Sequence, residues 1–324
     1  MKIQISHIRF GMTWLVAIFT VAMSQNVFAY PTKPIRLIVP FAPGGSTDVI
    51  ARTLAQKLSD SFKVSVIVDN RGGGGGLIGT ESAIRAAPDG YTIVFVSSSY
   101  VTNAAMYPLT YHPVNEITPI NLTCETGYLV GVFPGLKVNT PKDLIDIAKA
   151  KPGSINYGSA GQGSLAHLAT ELFSMQAGIK LTHIPYKGTG QALIDVIGGQ
   201  VQMVLGGVPG LIGHHKANRI RAIAITTIKR SSALPDVPAM AETVPGYEAP
   251  LWFAFLGPKG LSESMVKKWN VEIDRAIRLP EVKERMNGEG LDVVMGNPDA
   301  LRKKLATDIE KWRKVVKHGN IKVN

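Results

Sequence analysis

Short apolar runs that end in Gly/Ser/Thr-rich loops and pass straight into helical patterns constrain this chain more than any other feature. Ile35-Arg36-Leu37-Ile38-Val39 reads as a buried strand. The loop Pro40–Thr47 follows, and Asp48–Leu58 then sets Val49, Ile50, Leu54 and Leu58 on one helical face. The unit recurs as a strand over 64–68, a glycine run over 72–76 and a helix over 77–86, then a strand over 92–96 that ends in Ser97-Ser98-Ser99. Residues 155–158 lead through Ser159–Ser164 into a helix that carries Leu165, Leu168, Leu172 and Phe173. Strands alternating with helices of about 10–15 residues predict βαβ units, hence an α/β fold with mainly parallel sheets and flanking helices. At 324 residues the chain has room for two domains. The Gly/Pro-rich stretches 131–141 and 245–258 are the expected crossings between them.

Several helices declare their starts. Thr140-Pro141-Lys142-Asp143 offers a cap, a proline at the first helical position and an acid three residues after the cap. Asn297-Pro298-Asp299 has the same form and opens a helix in which Leu301, Leu305, Ile309, Trp312 and Val316 share a face. Ser262 precedes a helix bearing Val266, Trp269, Ile273 and Ile277. These apolar residues are assigned to the core rather than to a cofactor.

Composition excludes several classes of function. A single cysteine, Cys124, rules out a disulfide framework, and no Cys/His cluster offers a zinc site. The net charge of +11 raises nucleic acid as a partner. However, Met1–Ala29 has the order of a secretory signal: Lys2, His7 and Arg9, an apolar stretch Phe10–Met23, then Val27-Phe28-Ala29. The stretch is too short for a spanning helix, which needs about 20 apolar residues. Cleavage is expected after Ala29, giving an exported protein. Removing residues 1–29 takes away two basic and no acidic residues, so 33 basic and 24 acidic remain, a net +9. Those charges fall in small groups on helices beside acids, as on a solvated face, so no nucleic-acid partner is expected.

The chemistry concentrates in three loops at strand ends. They are Pro40–Asp48, Ser97–Asn103 and Gly158–Ser164, all rich in Gly, Ser and Thr. In an open α/β sheet, ligands bind outside the carboxyl ends of the strands. A helix N-terminus there presents unpaired N–H groups and a partial positive charge, which suit an anion. Asp48, the one carboxylate of the first loop, is read chiefly as a cap that holds the loop's shape, with contact to a positive ligand group as the alternative. His167 lies three residues after Ser164 and can bond a ligand or cap the loop.

Other motifs carry less. Gly74-Gly75-Gly76-Leu77-Ile78-Gly79 fits the dinucleotide fingerprint, yet a run of five glycines fits almost any glycine pattern. The following strand ends in Ser97-Ser98, where an acid for a ribose would be expected. No GxSxG elbow or P-loop is present, and no acid stands out to orient a Ser/His pair. No cofactor or metal is expected.

Taken together, several motifs carry a resemblance to a known family. Val39-Pro40-Phe41-Ala42-Pro43-Gly44-Gly45-Ser46-Thr47-Asp48 resembles the opening motif of the Bug, or TctC-like, extracytoplasmic solute receptors of tripartite tricarboxylate transporters. Asp69-Asn70-Arg71, Pro88-Asp89-Gly90-Tyr91-Thr92 and Asn156-Tyr157-Gly158-Ser159-Ala160-Gly161 continue it, with Gly163-Ser164 and His167-Leu168. His183-Ile184-Pro185-Tyr186-Lys187-Gly188, Leu234-Pro235-Asp236-Val237-Pro238, Trp252 and Trp312 fit as well, so it spans the chain after the leader.

The resemblance implies a two-domain, periplasmic-binding-protein-like fold (type II-like) that closes on a small organic carboxylate by hinge motion. Residues 30–125 plus 250–324 would form one domain and 126–249 the other. Ligand contacts are implied for Phe41, Pro43, Gly44, Gly45, Ser46, Thr47 and Asp48, and for Ser97, Ser98 and Asn103. Ser159, Gly161, Gly163, Ser164 and His167 would answer them from the second domain, with Tyr186 and Gly207. The partners implied are a permease or a sensor, with the receptor itself a monomer. The competing class is a secreted α/β hydrolase acting on a carboxylate. Gln191-Ala192, Gln202 and Gly206-Gly207 depart from the family pattern, and the bare Gly207 is expected to leave room for a bulky or apolar ligand tail.

Overall fold

Three of the expected apolar runs lie side by side in the computed structural model, which describes residues 30–321. Ile35–Val39 (β1) is flanked in parallel by Val66–Asn70 (β2) and Thr92–Ser97 (β3). The crossover helix Ser46–Phe62 lays Ile50, Ala51, Leu54 and Leu58 against them. It ends on Lys63 in the left-handed region (φ 59), so β2 starts two residues later than the apolar pattern suggests. The leader assigned to residues 1–29 lies outside the described residues. Among the described residues, no helix is long and apolar enough to cross a membrane.

Ile117–Thr126 (β4) completes a passage through the first sheet, and after the single residue Gly127 the chain enters a second sheet as Tyr128–Val132 (β5). A Cβ on Gly127 would stand 2.6 Å from the Ile225 side chain, so glycine lets the passage be this tight. The second sheet adds Asn156–Ser159 (β6), Thr182–Pro185 (β7), Met203–Gly207 (β8) and Arg221–Ile225 (β9), in the order β7-β6-β8-β5-β9. The chain then returns as Leu251–Pro258 (β10) and Asp292–Gly296 (β11), giving a first sheet ordered β11-β4-β10-β3-β1-β2. Both sheets belong to the one compact unit that begins at Lys33.

Two expectations need correction. The sheets are mixed: the βαβ halves are parallel, whereas β4, β5, β9, β10 and β11 pair antiparallel. Strands that enter or leave a sheet need no crossover helix, so their direction is free to reverse. The stretch 245–258 holds the return only in its first half: the Ala249 N–H still bonds the Thr226 carbonyl beside β9, whereas the second half is β10, buried at every position. Its Gly and Pro signals come from Pro245-Gly246 and Pro250, before the strand, and Gly257-Pro258, at its end. Likewise 131–141 lies wholly beyond the passage at Gly127.

The helix caps form as the spacing predicts. Thr140 Oγ1 accepts from the Asp143 N–H while the Asp143 carboxylate accepts from the Thr140 N–H. Ser262 and Asn297 accept from the N–H groups of Met265 and Ala300. Trp269 and Trp312 are buried in the core.

Candidate functional site

The carboxyl ends of β1 and β3 face the second sheet across a narrow cavity of about 20 Å³, room for about one ordered water. Phe41, Gly45, Ser46 and Thr47 line it after β1, and Ser97 and Ser99 after β3. Tyr128, Ala160, Thr189 and Gly207 answer from the second sheet, with Leu251 and Phe253 from β10. The wall holds no Asp, Glu, Lys, Arg or His. Its polar groups are hydroxyls and backbone.

Four helices begin at this wall: Ser46–Phe62, Ser99–Met106, Thr189–Ile197 and Val208–Lys216. None has a side-chain cap, in contrast to the helices that follow Thr140, Ser164, Ser262 and Asn297. The first N–H groups of a helix have no partner within it, so these N-termini gather positive potential at one place. The Ser99 N–H is bonded to Ser97 Oγ (3.4 Å), the Val208 N–H to the Gly127 carbonyl (3.3 Å), and Pro209 has no N–H, which leaves the following amides as the donors. Ser46 Oγ sits there buried and without a hydrogen-bond partner. Unpaired buried polar atoms are uncommon and costly in a folded chain.

Asp48 does not face the cavity. Its carboxylate accepts from the Gly44 N–H (3.0 Å), Arg52 Nε (3.0 Å) and Asn70 Nδ2 (2.9 Å). Asn70 Nδ2 also donates to the Phe41 carbonyl (3.0 Å), so the group ties the loop to β2. Burial opposes the charge on Asp48, but the bonds from Arg52, Gly44 and Asn70 outweigh it and hold the carboxyl below its ordinary value. Pro43 and Gly44 also lie outside the cavity wall, packed against Gly190 of the other half.

The loop after β6 is braced both from its own half and, through Thr102 and Ser99, from the other. Ser159 Oγ shares a hydrogen bond with His183 Nε2 (2.6 Å) and accepts from the Gly161 N–H (3.0 Å). His167 Nδ1 accepts from the Gly163 N–H (3.3 Å), and Ser164 Oγ caps the helix by accepting from the His167 N–H. The two imidazoles stack at 4.2 Å, with Tyr157 on the other side of His183. Burial holds His167 down at about 4; burial and the neighbouring His167 hold His183 at about 3. Both are therefore neutral near pH 7. Of this loop only Ala160 reaches the cavity wall. Tyr186 also turns away, donating to Asp195 Oδ2 (2.5 Å), and Ser98 accepts from the Trp252 N–H.

The halves meet along a seam of glycines. A Cβ on Gly75 would stand 2.3 Å from the Gln162 carbonyl oxygen, and one on Gly161 would stand 2.9 Å from the Gly75 nitrogen. Gly190 packs on the Pro43 carbonyl in the same way, and Gly188 on Ala42. Asn103 Nδ2 donates to the Gly75 carbonyl, while Thr102 Oγ1 donates to the Gly163 carbonyl across the seam. The nucleotide-like run 72–76 thus serves backbone-to-backbone approach. Gly207 belongs to the seam too: a Cβ there would lie 2.4 Å from Ser46 Oγ and 2.7 Å from Leu251 Cδ2. The room expected beside Gly207 is filled by those two side chains.

Of the sequence candidates, Phe41, Gly45, Ser46, Thr47, Ser97 and Gly207 come together on the wall. Ser99, Tyr128, Ala160, Thr189, Leu251 and Phe253 were not among them. Thr189 had a usable signal, a Gly-Thr-Gly after a strand, and Ser99 extends a serine run already singled out. Tyr128, Leu251 and Phe253 sit in apolar runs that read as core.

The two mixed α/β sheets, joined by crossing strands around a donor-lined cleft, are the architecture of a periplasmic binding protein. Residues 50–321 match the Tripartite tricarboxylate transporter family receptor, and the chain belongs to that family. It is 36% identical over 312 residues to protein BugT of Bordetella pertussis, covering 95% of this chain and 96% of that one. The structure of the periplasmic binding protein BugD superposes with a TM-score of 0.87 at 32% identity, over 90% of this chain and 99% of that one. The R. palustris protein Rpa4515, solved with adipate, gives a TM-score of 0.86 at 32% identity, over 90% of this chain and 98% of that one.

Proposed function

We propose that this chain is an exported, non-enzymatic receptor that captures a small organic carboxylate. One lobe would be residues 30–125 with 250–324, the other 126–249, and the receptor would hand its ligand to the permease of a tripartite transporter. The carrying observation is the convergence of four uncapped helix N-termini on a wall free of charged side chains, with the orphan Ser46 Oγ among them. Burying a carboxylate is costly unless several donors satisfy it, and these groups are such a set. The relative solved with adipate supports the ligand class. The leader would be removed after Ala29, leaving a periplasmic monomer.

A hydrolase fits less well. Ser159 is fully buried and its hydroxyl is already bonded, and His183 is flanked by the rings of Tyr157 and His167 rather than oriented by an acid. The test is a thermal-shift screen of the chain from Tyr30 onward against a carboxylate panel, with product analysis alongside. A ligand at a hundred times its Kd raises stability by about 2.7 kcal/mol, which a melt resolves. Stabilisation without turnover is expected. A flat response across the panel, or steady product formation, overturns the reading.

A further inference from the structure

We infer that Ser99 couples ligand capture to closure: its hydroxyl binds the ligand and holds the seam at once. The inference rests on the carboxylate reading above and adds the residue through which the bound anion acts on the seam.

Ser99 opens the helix after β3 and lies buried on the cavity wall. Its Oγ accepts the Leu165 N–H (3.1 Å) from the other half. Leu165 is the first residue of the helix Leu165–Ala177, whose own cap, Ser164, takes the His167 N–H instead. The first amides of a helix have no partner inside it, so Ser99 supplies across the seam the acceptor that Leu165 lacks at home. Thr102 and Asn103 stand on the same helical face, three and four residues further on. Thr102 Oγ1 donates to the Gly163 carbonyl (2.8 Å), and Asn103 Nδ2 to the Gly75 carbonyl (3.1 Å). A Cβ on Gly163 would stand 2.8 Å from Asn103 Oδ1, so the loop after β6 seats closely on this face. Parting the halves removes the Leu165 and Gly163 bonds together.

Of these three side chains only Ser99 also belongs to the cavity wall. A serine hydroxyl has one proton to give and two lone pairs. With the halves together, the Leu165 N–H occupies a lone pair and the proton stays available to the cavity. The bond between Ser99 and the hydroxyl of Tyr128, its neighbour on the wall, is one that a carboxylate, the stronger acceptor, can take over. A hydroxyl that accepts one hydrogen bond donates a stronger one, by roughly 10–30%. With the halves apart, Ser99 loses the Leu165 N–H and that gain. A ligand that draws on this proton therefore binds the closed form better than the open one, and by linkage it closes the seam. Ser46 offers no such link, because its hydroxyl has no hydrogen-bond partner in the fold.

The test uses the chain from Tyr30 and, as probe, the tightest binder among succinate, malate, adipate and benzoate. Amide exchange is read by NMR at Leu165 with and without the probe, and calorimetry compares Ser99→Ala with Thr102→Val. The probe is expected to slow exchange of the Leu165 amide by about tenfold or more. Ser99→Ala removes a seam bond and a ligand bond, and it is expected to lose about tenfold more affinity than Thr102→Val, which removes a seam bond alone. Leu165 exchange that ignores a bound probe in the wild type overturns the inference, whether or not the variants fold. A loss in Ser99→Ala no greater than in Thr102→Val also overturns it, because Ser99 would then serve the seam alone. Either failure leaves the receptor reading standing. If none of the four acids binds, the carboxylate reading itself falls, and this inference with it.

Discussion

Gly75 and Gln162 touch backbone to backbone across the seam between the two halves, with only 2.3 Å between the Gln162 carbonyl oxygen and the place a Gly75 Cβ would take. Real Cβ atoms do not approach backbone that closely, so any side chain at 75 pushes the halves apart. Gly75→Ala is expected to weaken ligand binding at least tenfold and to enlarge the radius of gyration in X-ray scattering. Gly75 also has a left-handed backbone (φ 62), which costs a non-glycine residue about 1–2 kcal/mol. Gly178→Ala separates the two effects, because Gly178 has nearly the same φ (63) with nothing within 4 Å. That variant should lose stability but keep its affinity and radius. Equal behaviour of the two variants would show that strain, not the seam, is responsible.

Ser46→Ala makes a contrasting case. The hydroxyl is buried without a protein partner, so its removal leaves no protein group stranded and relieves one unpaired atom. The melting temperature without ligand should hold or rise slightly. Carboxylate affinity should fall by about 1–3 kcal/mol, the cost of unpairing a buried partner. A clear loss of stability with unchanged affinity would mean that the hydroxyl serves the fold alone.

How far the site could be read in advance depended on where each residue's partner lies. Gly45, Ser46, Thr47 and Ser97 were legible because small polar residues at the carboxyl end of a strand have few other uses. Thr140, Ser262 and Asn297 were legible because a cap acts within three residues. The direction of Ser159 was not, since its partner His183 is 24 residues away on another strand. The glycine run matched a nucleotide motif because spacing records only where Cβ atoms are absent. What stands against Gly75 is a carbonyl 87 positions further on, invisible to any local pattern. Tyr128, Leu251 and Phe253 failed for a third reason: a strand buried on both faces gives a continuous apolar run, and nothing local marks which residues end at a cleft.

Asp48 should act on the loop rather than on the ligand's charge. Asp48→Ala strands the Gly44 N–H and frees Arg52 and Asn70, and a loss of about 1–3 kcal/mol is expected from urea unfolding. Asp48→Asn keeps an acceptor for Gly44 and should recover part of that loss. If Asp48 instead contacted a positive ligand group, both variants would spare stability and abolish binding.

The stacked pair His167 and His183 sets a pH dependence whose direction follows from its burial. In the fold they titrate at about 4 and about 3, whereas an unfolded histidine titrates near 6.5. Above about pH 6.5 both states are neutral and stability does not respond to these groups. Between about 6.5 and 4 the unfolded chain takes up protons that the folded chain refuses, so stability falls as pH falls. Below about pH 3 the dependence ends, because the folded imidazoles are then protonated as well. Carboxylates titrate in the lower part of that window, so the informative quantity is a difference between variants. His183→Gln removes one of the two titrations. Its deficit relative to the wild type, measured by urea unfolding, should be largest near pH 7, where the Ser159 bond is lost. It should then shrink by on the order of 2–3 kcal/mol towards pH 4.5. A deficit that stays constant across that range would mean that His183 is charged in the folded chain, and the neutral stack bracing the Ser159–Ser164 loop would have to be abandoned.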